Sequence, residues 1–149
     1  MQIAQKFAAK TWRVPARLHA YTAINAAGVD EGRWRPVYEP DWSIRYVHLL
    51  GTQAKKDLMI WPYHTMIGTP GHSITPALYE AIAYHAAARQ SQPAFVIKGS
   101  LPKTEHYSLL EPEVKVPGDP RGELNVAFLE TLAPYDVVIG TNVRAEVAP

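Results

Sequence analysis

Thirteen prolines punctuate this 149-residue chain, and their positions limit its fold more than any other feature. Proline fixes φ, lacks a backbone N–H and clashes with the preceding helical turn, so it belongs at helix starts, strand edges and loops. Asp30-Glu31-Gly32 reads as a turn, and residues 33–38 read as extended up to Glu39-Pro40. Asp41 then suits an N-cap, with Ile44, Val47, His48 and Leu50 at helical spacing and Gly51 as the stop. Residues 58–61 are four apolar residues ended by Pro62, the pattern of a short buried parallel strand, and a Gly/Pro/Thr-rich loop follows over 68–75. Thr75 and Pro76 open the clearest helix, with Leu78, Ala81, Ile82, His85 and Ala86 on one face out to Arg89. Gln92-Pro93 breaks that pattern, and residues 94–97 read as a second buried strand leading into Lys98-Gly99. The stretch 101–122 holds four prolines and reads as one long irregular loop. A third helix is expected over 124–132, then a third strand over 137–139 stopped by Gly140.

Length suggests a single folded domain, and 15 basic against 14 acidic residues give a formal charge of only +1. Such a balance offers no general attraction for nucleic acid or a membrane surface. No apolar run reaches the roughly 18 residues of a membrane-spanning helix. The chain contains no cysteine, which excludes disulfides, thiolate metal sites and any mechanism whose nucleophile is a cysteine of this sequence. Residues 1–29 carry Lys6, Lys10, Arg13 and Arg17 with no acid, as organelle targeting segments do, but serine is scarce and Val14-Pro15 interrupts any amphipathic helix. That segment is read as ordinary chain, with a weak helical pattern over 2–12, ahead of a domain spanning 30–149. A cytoplasmic location is expected.

Strands alternating with helices argue for an α/β domain with a mainly parallel sheet. In such sheets ligands bind beyond the carboxyl ends of the strands. Three places qualify: Pro62, Tyr63, His64 and later His72 after the first strand; Lys98, Glu105, His106 and Tyr107 after the second; Thr141, Asn142, Arg144 and Glu146 after the third.

These segments, in order, form a pattern. IWPYHTMIGTPGHS (60–73) is followed by EAIAYHAAAR (80–89), IKGSLPKTEHYS (97–108), PEV (112–114) and YDVVIG (135–140). The order and spacing closely resemble the isochorismatase-like cysteine hydrolases, in particular a nicotinamidase-related branch, over roughly residues 30–140. The resemblance implies a three-layer α/β/α fold, here incomplete at both ends, and hydrolysis of an amide C–N bond or of a vinyl ether. It also implies an Asp–Lys–Cys triad with backbone N–H groups as the oxyanion hole. Lys98 matches the triad lysine, at the carboxyl end of its strand, where its charge would favour a thiolate. Trp61, His64, Glu105 and Tyr107 are the expected substrate-pocket residues, with Glu105 placed to pair with Lys98. His64 matches a histidine that binds metal in relatives together with an upstream Asp-x-His, which this chain lacks, so a pocket-lining or hydrogen-bonded role is expected and no resident metal. His72 and His85 read as loop-packing and core-face histidines. Two triad members are missing: no aspartate motif precedes Asp30, and the nucleophile's place falls on Glu146 or Arg144.

Three readings follow. The chain is a truncated or degenerate hydrolase domain, inactive alone because the covalent route is gone and only binding and polarisation survive. Alternatively it is a non-catalytic binding or assembly protein of the same fold, with a homo-oligomer as one form. The third reading is a cysteine-free hydrolase using His64, Glu105 or Glu146 with water or a metal ion. The expected ligand is a small molecule, with neither nucleic acid nor membrane as partner.

Overall fold

The computed structural model describes residues 18–64 and 66–138, together with the backbone of a two-residue strand, β1 (Trp12–Arg13). The chain divides into two compact units, one formed by Met1–Pro62 and Lys98–Pro149, the other by Tyr63–Ile97.

The first unit is a mixture of short strands and helices. Its described elements run β1, β2 (Thr22–Ile24), α1 (Ala26–Asp30), β3 (Arg35–Pro36), α2 (Pro40–Gln53), β4 (Leu58–Ile60) and α4 (Val126–Leu132); α3 belongs to the second unit. β2 lies antiparallel to β4, with Thr22 opposite Ile60 and Ile24 opposite Leu58, and β1 lies antiparallel to β3. The strand expected at 58–61 is therefore present at Leu58–Ile60, but its partner and direction differ from the mainly parallel sheet expected. A four-residue apolar run specifies extended backbone and burial; it carries no information about which strand sits beside it. Here the neighbour is Thr-Ala-Ile at 22–24, whose Ile24 is wholly buried. Residues 18–29, set apart in the sequence reading, thus supply part of the interior.

The core gathers Ile24, Val29, Tyr46, Val47, Leu50, Leu58, Ile60 and Val114, with Leu18, Trp34, Trp42, Leu49 and Ala54 packed around it. α2 turns Ser43, Tyr46, Val47 and Leu50 inward, an i, i+3, i+4, i+7 stripe. That stripe is rotated from the expected one. Ile44 is exposed, and His48 instead meets Asp30 with Nε2–Oδ1 3.0 Å. The helix also begins one residue before Asp41, because Pro40 takes the first helical position and Glu39 stands at the N-cap in a left-handed conformation without side-chain capping. It runs through Gly51 to Gln53: glycine is costly but permitted inside a helix, and Leu50 beside it is anchored in the core. The turn at Asp30-Glu31-Gly32 is present, with Gly32 at positive φ. Upstream, Gly28 is needed for close approach, since a Cβ there would sit 2.5 Å from Trp34 Cδ1 and Nε1.

The long 101–122 stretch is irregular, as expected, apart from a 3-10 turn at Pro120–Gly122. It is nevertheless well buried. Leu101, Val114 and Val116 are interior residues, and cross-loop bonds replace a ladder: Thr104 Oγ1 donates to Val114 O (2.7 Å), Glu113 N–H to Glu105 O (2.9 Å) and Asn125 N–H to Leu110 O (2.7 Å). α4 starts two residues later than expected because the Asn125 side chain caps it, accepting from Phe128 N–H at 3.1 Å.

The second unit holds a 3-10 turn (Pro70–His72) and α3 (Pro76–Arg89), closed by Gln90 in a left-handed conformation. Pro76 sits at the helix start as expected, but Thr75 makes no side-chain cap bond, and no α3 residue is buried. Leu78, Ala81 and His85 are exposed, so their stripe is not a core face. Residues 94–97 are irregular rather than a buried strand, with Phe95 62% and Ile97 67% exposed. A strand needs a neighbour for its N–H and C=O groups, and among its described residues this unit contains no other strand. Val137 and Val138 are likewise exposed and irregular, and Ile139 to Pro149 lie outside the described residues. So do residues 2–11 of the expected N-terminal helix; Trp12, its last residue, is in β1.

Candidate functional site

Lys98 opens the second stretch of the first unit, one residue before Gly99, which is buried and at positive φ. Since residues 94–97 are irregular, Lys98 does not cap a strand end as expected. It is held from the other side: Nζ donates to the carbonyl oxygen of Tyr107 at 2.8 Å, closing the KGSLPKTEHY segment on itself. Tyr107 thus meets Lys98 through its backbone. Its ring faces elsewhere, with Lys56 Nζ 3.6 Å from the ring centroid.

Glu105 does not form the expected hydrogen-bonded pair with Lys98. Its side chain is buried, and among the described residues neither carboxyl oxygen has a hydrogen-bond partner. The backbone around it is pinned instead. Glu105 N–H donates to Tyr46 Oη on α2 at 3.1 Å, and Glu105 O accepts from Glu113 N–H. Lys56, which follows α2, reaches the same place and pairs with Glu113 Oε2 at 2.7 Å. The Glu105 carboxyl stands raised at about 7, chiefly through burial; Lys56 opposes the rise, Glu113 adds to it, and the Tyr46 hydroxyl opposes it. Tyr46 itself is raised well above its ordinary value by burial and by the Glu105 charge. Next along the chain, His106 is 8% exposed with Nδ1 unpartnered among the described residues, and burial lowers its pKa. Lys98 adds a smaller push in the same direction.

Two further ties fasten this loop to α2. Trp42 Nε1 donates to Lys103 O at 3.0 Å, and Lys103 Nζ meets Glu39 Oε2 at 2.7 Å. Trp61 follows β4, exposed, with its ring edge-on to Tyr21 at 5.8 Å between centroids. Of the expected site residues, Lys98, Glu105 and Tyr107 share one pinned loop, while His64 lies in the second unit, half-buried. His72 and His85 belong to that unit as well and are exposed, so neither packs as expected. An open groove there, about 530 Å³, is lined by Tyr79, Ile82, Ala86, Gln90 and Pro93 among others and includes none of the expected site residues. Among the described residues no three His, Asp or Glu side chains converge as metal ligands. The alternative candidates Arg144 and Glu146 lie outside the described residues.

The sequence reading missed Tyr46, Lys56 and Glu113. Tyr46 was detectable as a core-stripe position of α2, but nothing local marks Lys56 or Glu113 as its neighbours, because they come together only on folding. No family model, curated protein or solved structure matches the chain. Among the described residues, no helix is long and apolar enough to cross a membrane.

Proposed function

We propose that this chain is a cytoplasmic, nicotinamidase-related member of the isochorismatase-like cysteine hydrolases that binds a small amide (or a vinyl ether) without hydrolysing it by itself. The reading includes the three-layer α/β/α architecture of that superfamily. Both described ladders are antiparallel, so support comes from the order of the motifs and not from the sheet.

The observation that carries the proposal is the Lys98 Nζ to Tyr107 O bond, which ties the triad-matching lysine to the TEHY segment of the same motif. An oriented ammonium can hold or polarise a carbonyl oxygen, but splitting an amide by the superfamily's route needs a thiolate, and this sequence encodes no cysteine. What remains is binding and polarisation. Incubating the purified chain with nicotinamide and following ammonia tests this reading. No release above the protein-free rate is expected, and steady turnover abolished by Lys98→Ala would overturn it. The alternative, an assembly protein of the same fold, would appear as a stable homo-oligomer that gives no ligand response.

A further inference from the structure

Glu105 is 3% exposed, and among the described residues no donor stands in hydrogen-bond geometry to either carboxyl oxygen, although the Tyr46 hydroxyl is close enough to draw its pKa down. Burying an ionised, unbonded carboxylate is far more costly than burying the neutral acid. Nor can the side chain swing out freely, because the backbone on both sides is tied. The Glu105 N–H is held by Tyr46 Oη, its carbonyl by Glu113 N–H, and Thr104 Oγ1 is bonded to Val114 O. Among the described residues, the groups facing the carboxyl are Tyr46 from α2, Lys56 from the link after α2, and Glu113 from its own loop; the Tyr107 ring adds to the surroundings of Tyr46. Lys56 is, among the described residues, the one cation acting on the carboxyl, and it is already engaged by Glu113 Oε2 at 2.7 Å and by the Tyr107 ring at 3.6 Å.

We propose that residues 101–116 form a proton-gated clasp on α2, closed while the Glu105 carboxyl is neutral and opened when its proton passes to water. Opening breaks the Tyr46–Glu105 and Glu105–Glu113 bonds and lets the carboxylate reach solvent. The sign follows from linkage. In the closed form the carboxyl sits near 7, and in the open form it returns toward its ordinary 4.5. The closed clasp therefore binds the proton more tightly; its advantage is full below about 4.5 and is lost as pH rises through about 7. Tyr107 lies within the clasp, so opening also loosens the carbonyl that holds Lys98, whatever ligand Lys98 serves.

Hydrogen exchange at the Glu105 and Glu113 amides, in wild type and in Glu105→Gln, tests the clasp. The glutamine amide is a stand-in for the neutral acid, and His106 titrates in both proteins, so the ratio of their protection factors isolates the carboxyl. Between pH 5.5 and 8.5 the wild-type to Glu105→Gln ratio is expected to fall about 30-fold, from carboxyl values of 4.5 and about 7. A ratio that does not move with pH overturns the proposal. Where Glu105→Gln does not fold, the 13C carboxyl shift of Glu105 in wild type decides. A midpoint near 7 that coincides with movement of the Glu113 amide supports the clasp, and a midpoint in the ordinary carboxylate range overturns it.

Discussion

Replacing Tyr46 by phenylalanine removes a single atom from the junction between α2 and the 101–116 loop. The ring remains in the core, so the apolar packing of Tyr46 against its neighbours is kept and no side-chain-sized cavity opens. What is lost is Oη, the acceptor 3.1 Å from the Glu105 N–H, in a buried setting. An N–H left buried without a partner costs about 1–3 kcal/mol. For a chain of this length each kcal/mol moves Tm by about 2–4 °C, so a fall of roughly 2–12 °C is expected. Urea unfolding should give a lower midpoint at unchanged slope, because the surface exposed on unfolding is the same. Tyr84→Phe, at an exposed position of α3, is the control and should stay within about 0.5 kcal/mol of wild type. A Tyr46→Phe protein as stable as the control would refute the idea that this hydroxyl pins the loop.

Gly28→Ala should destabilise by about 1–3 kcal/mol, since the added methyl lands 2.5 Å from the Trp34 ring and the indole has to move; denaturant titration followed by tryptophan emission reads both effects, and unchanged stability would contradict the close approach. In the Glu105→Gln background, stability should decline as pH falls from 7.5 to 5. His106 is held neutral by burial in the fold, whereas the unfolded chain takes up a proton below about 6.5, so acid favours unfolding. A flat profile over that range would mean that His106 is not desolvated in solution.

Helices were the most legible part of the chain, because proline, periodicity and capping residues all act within a few positions of one another. Pro76 through Arg89 has the expected bounds and Asn125 caps α4 two residues late, whereas α2 starts at Pro40, runs through the expected stop at Gly51 and buries a rotated stripe, and α1 was not expected. Strand pairing was not legible. Leu58–Ile60 reads correctly as buried and extended, yet its partner at 22–24 has only three residues and no pattern that distinguishes it from loop. Residues 94–97 show the converse, since an apolar run without a neighbouring strand has no reason to become one. At the site, Lys98, Glu105 and Tyr107 were found as a group because they are close in sequence. The environment that changes Glu105 from a surface carboxylate into a buried acid comes from Tyr46 and Lys56, which lie far back along the chain, and no motif records it.

The role assigned to Lys98 is tested most directly by titrating the uniformly 15N-labelled chain with nicotinamide while following the amides of Gly99 and residues 105–107. Saturable shifts centred on those amides, and their loss in Lys98→Ala, are the predicted result. Shifts that persist unchanged in Lys98→Ala, or none at any concentration that nicotinamide reaches in solution, would contradict it.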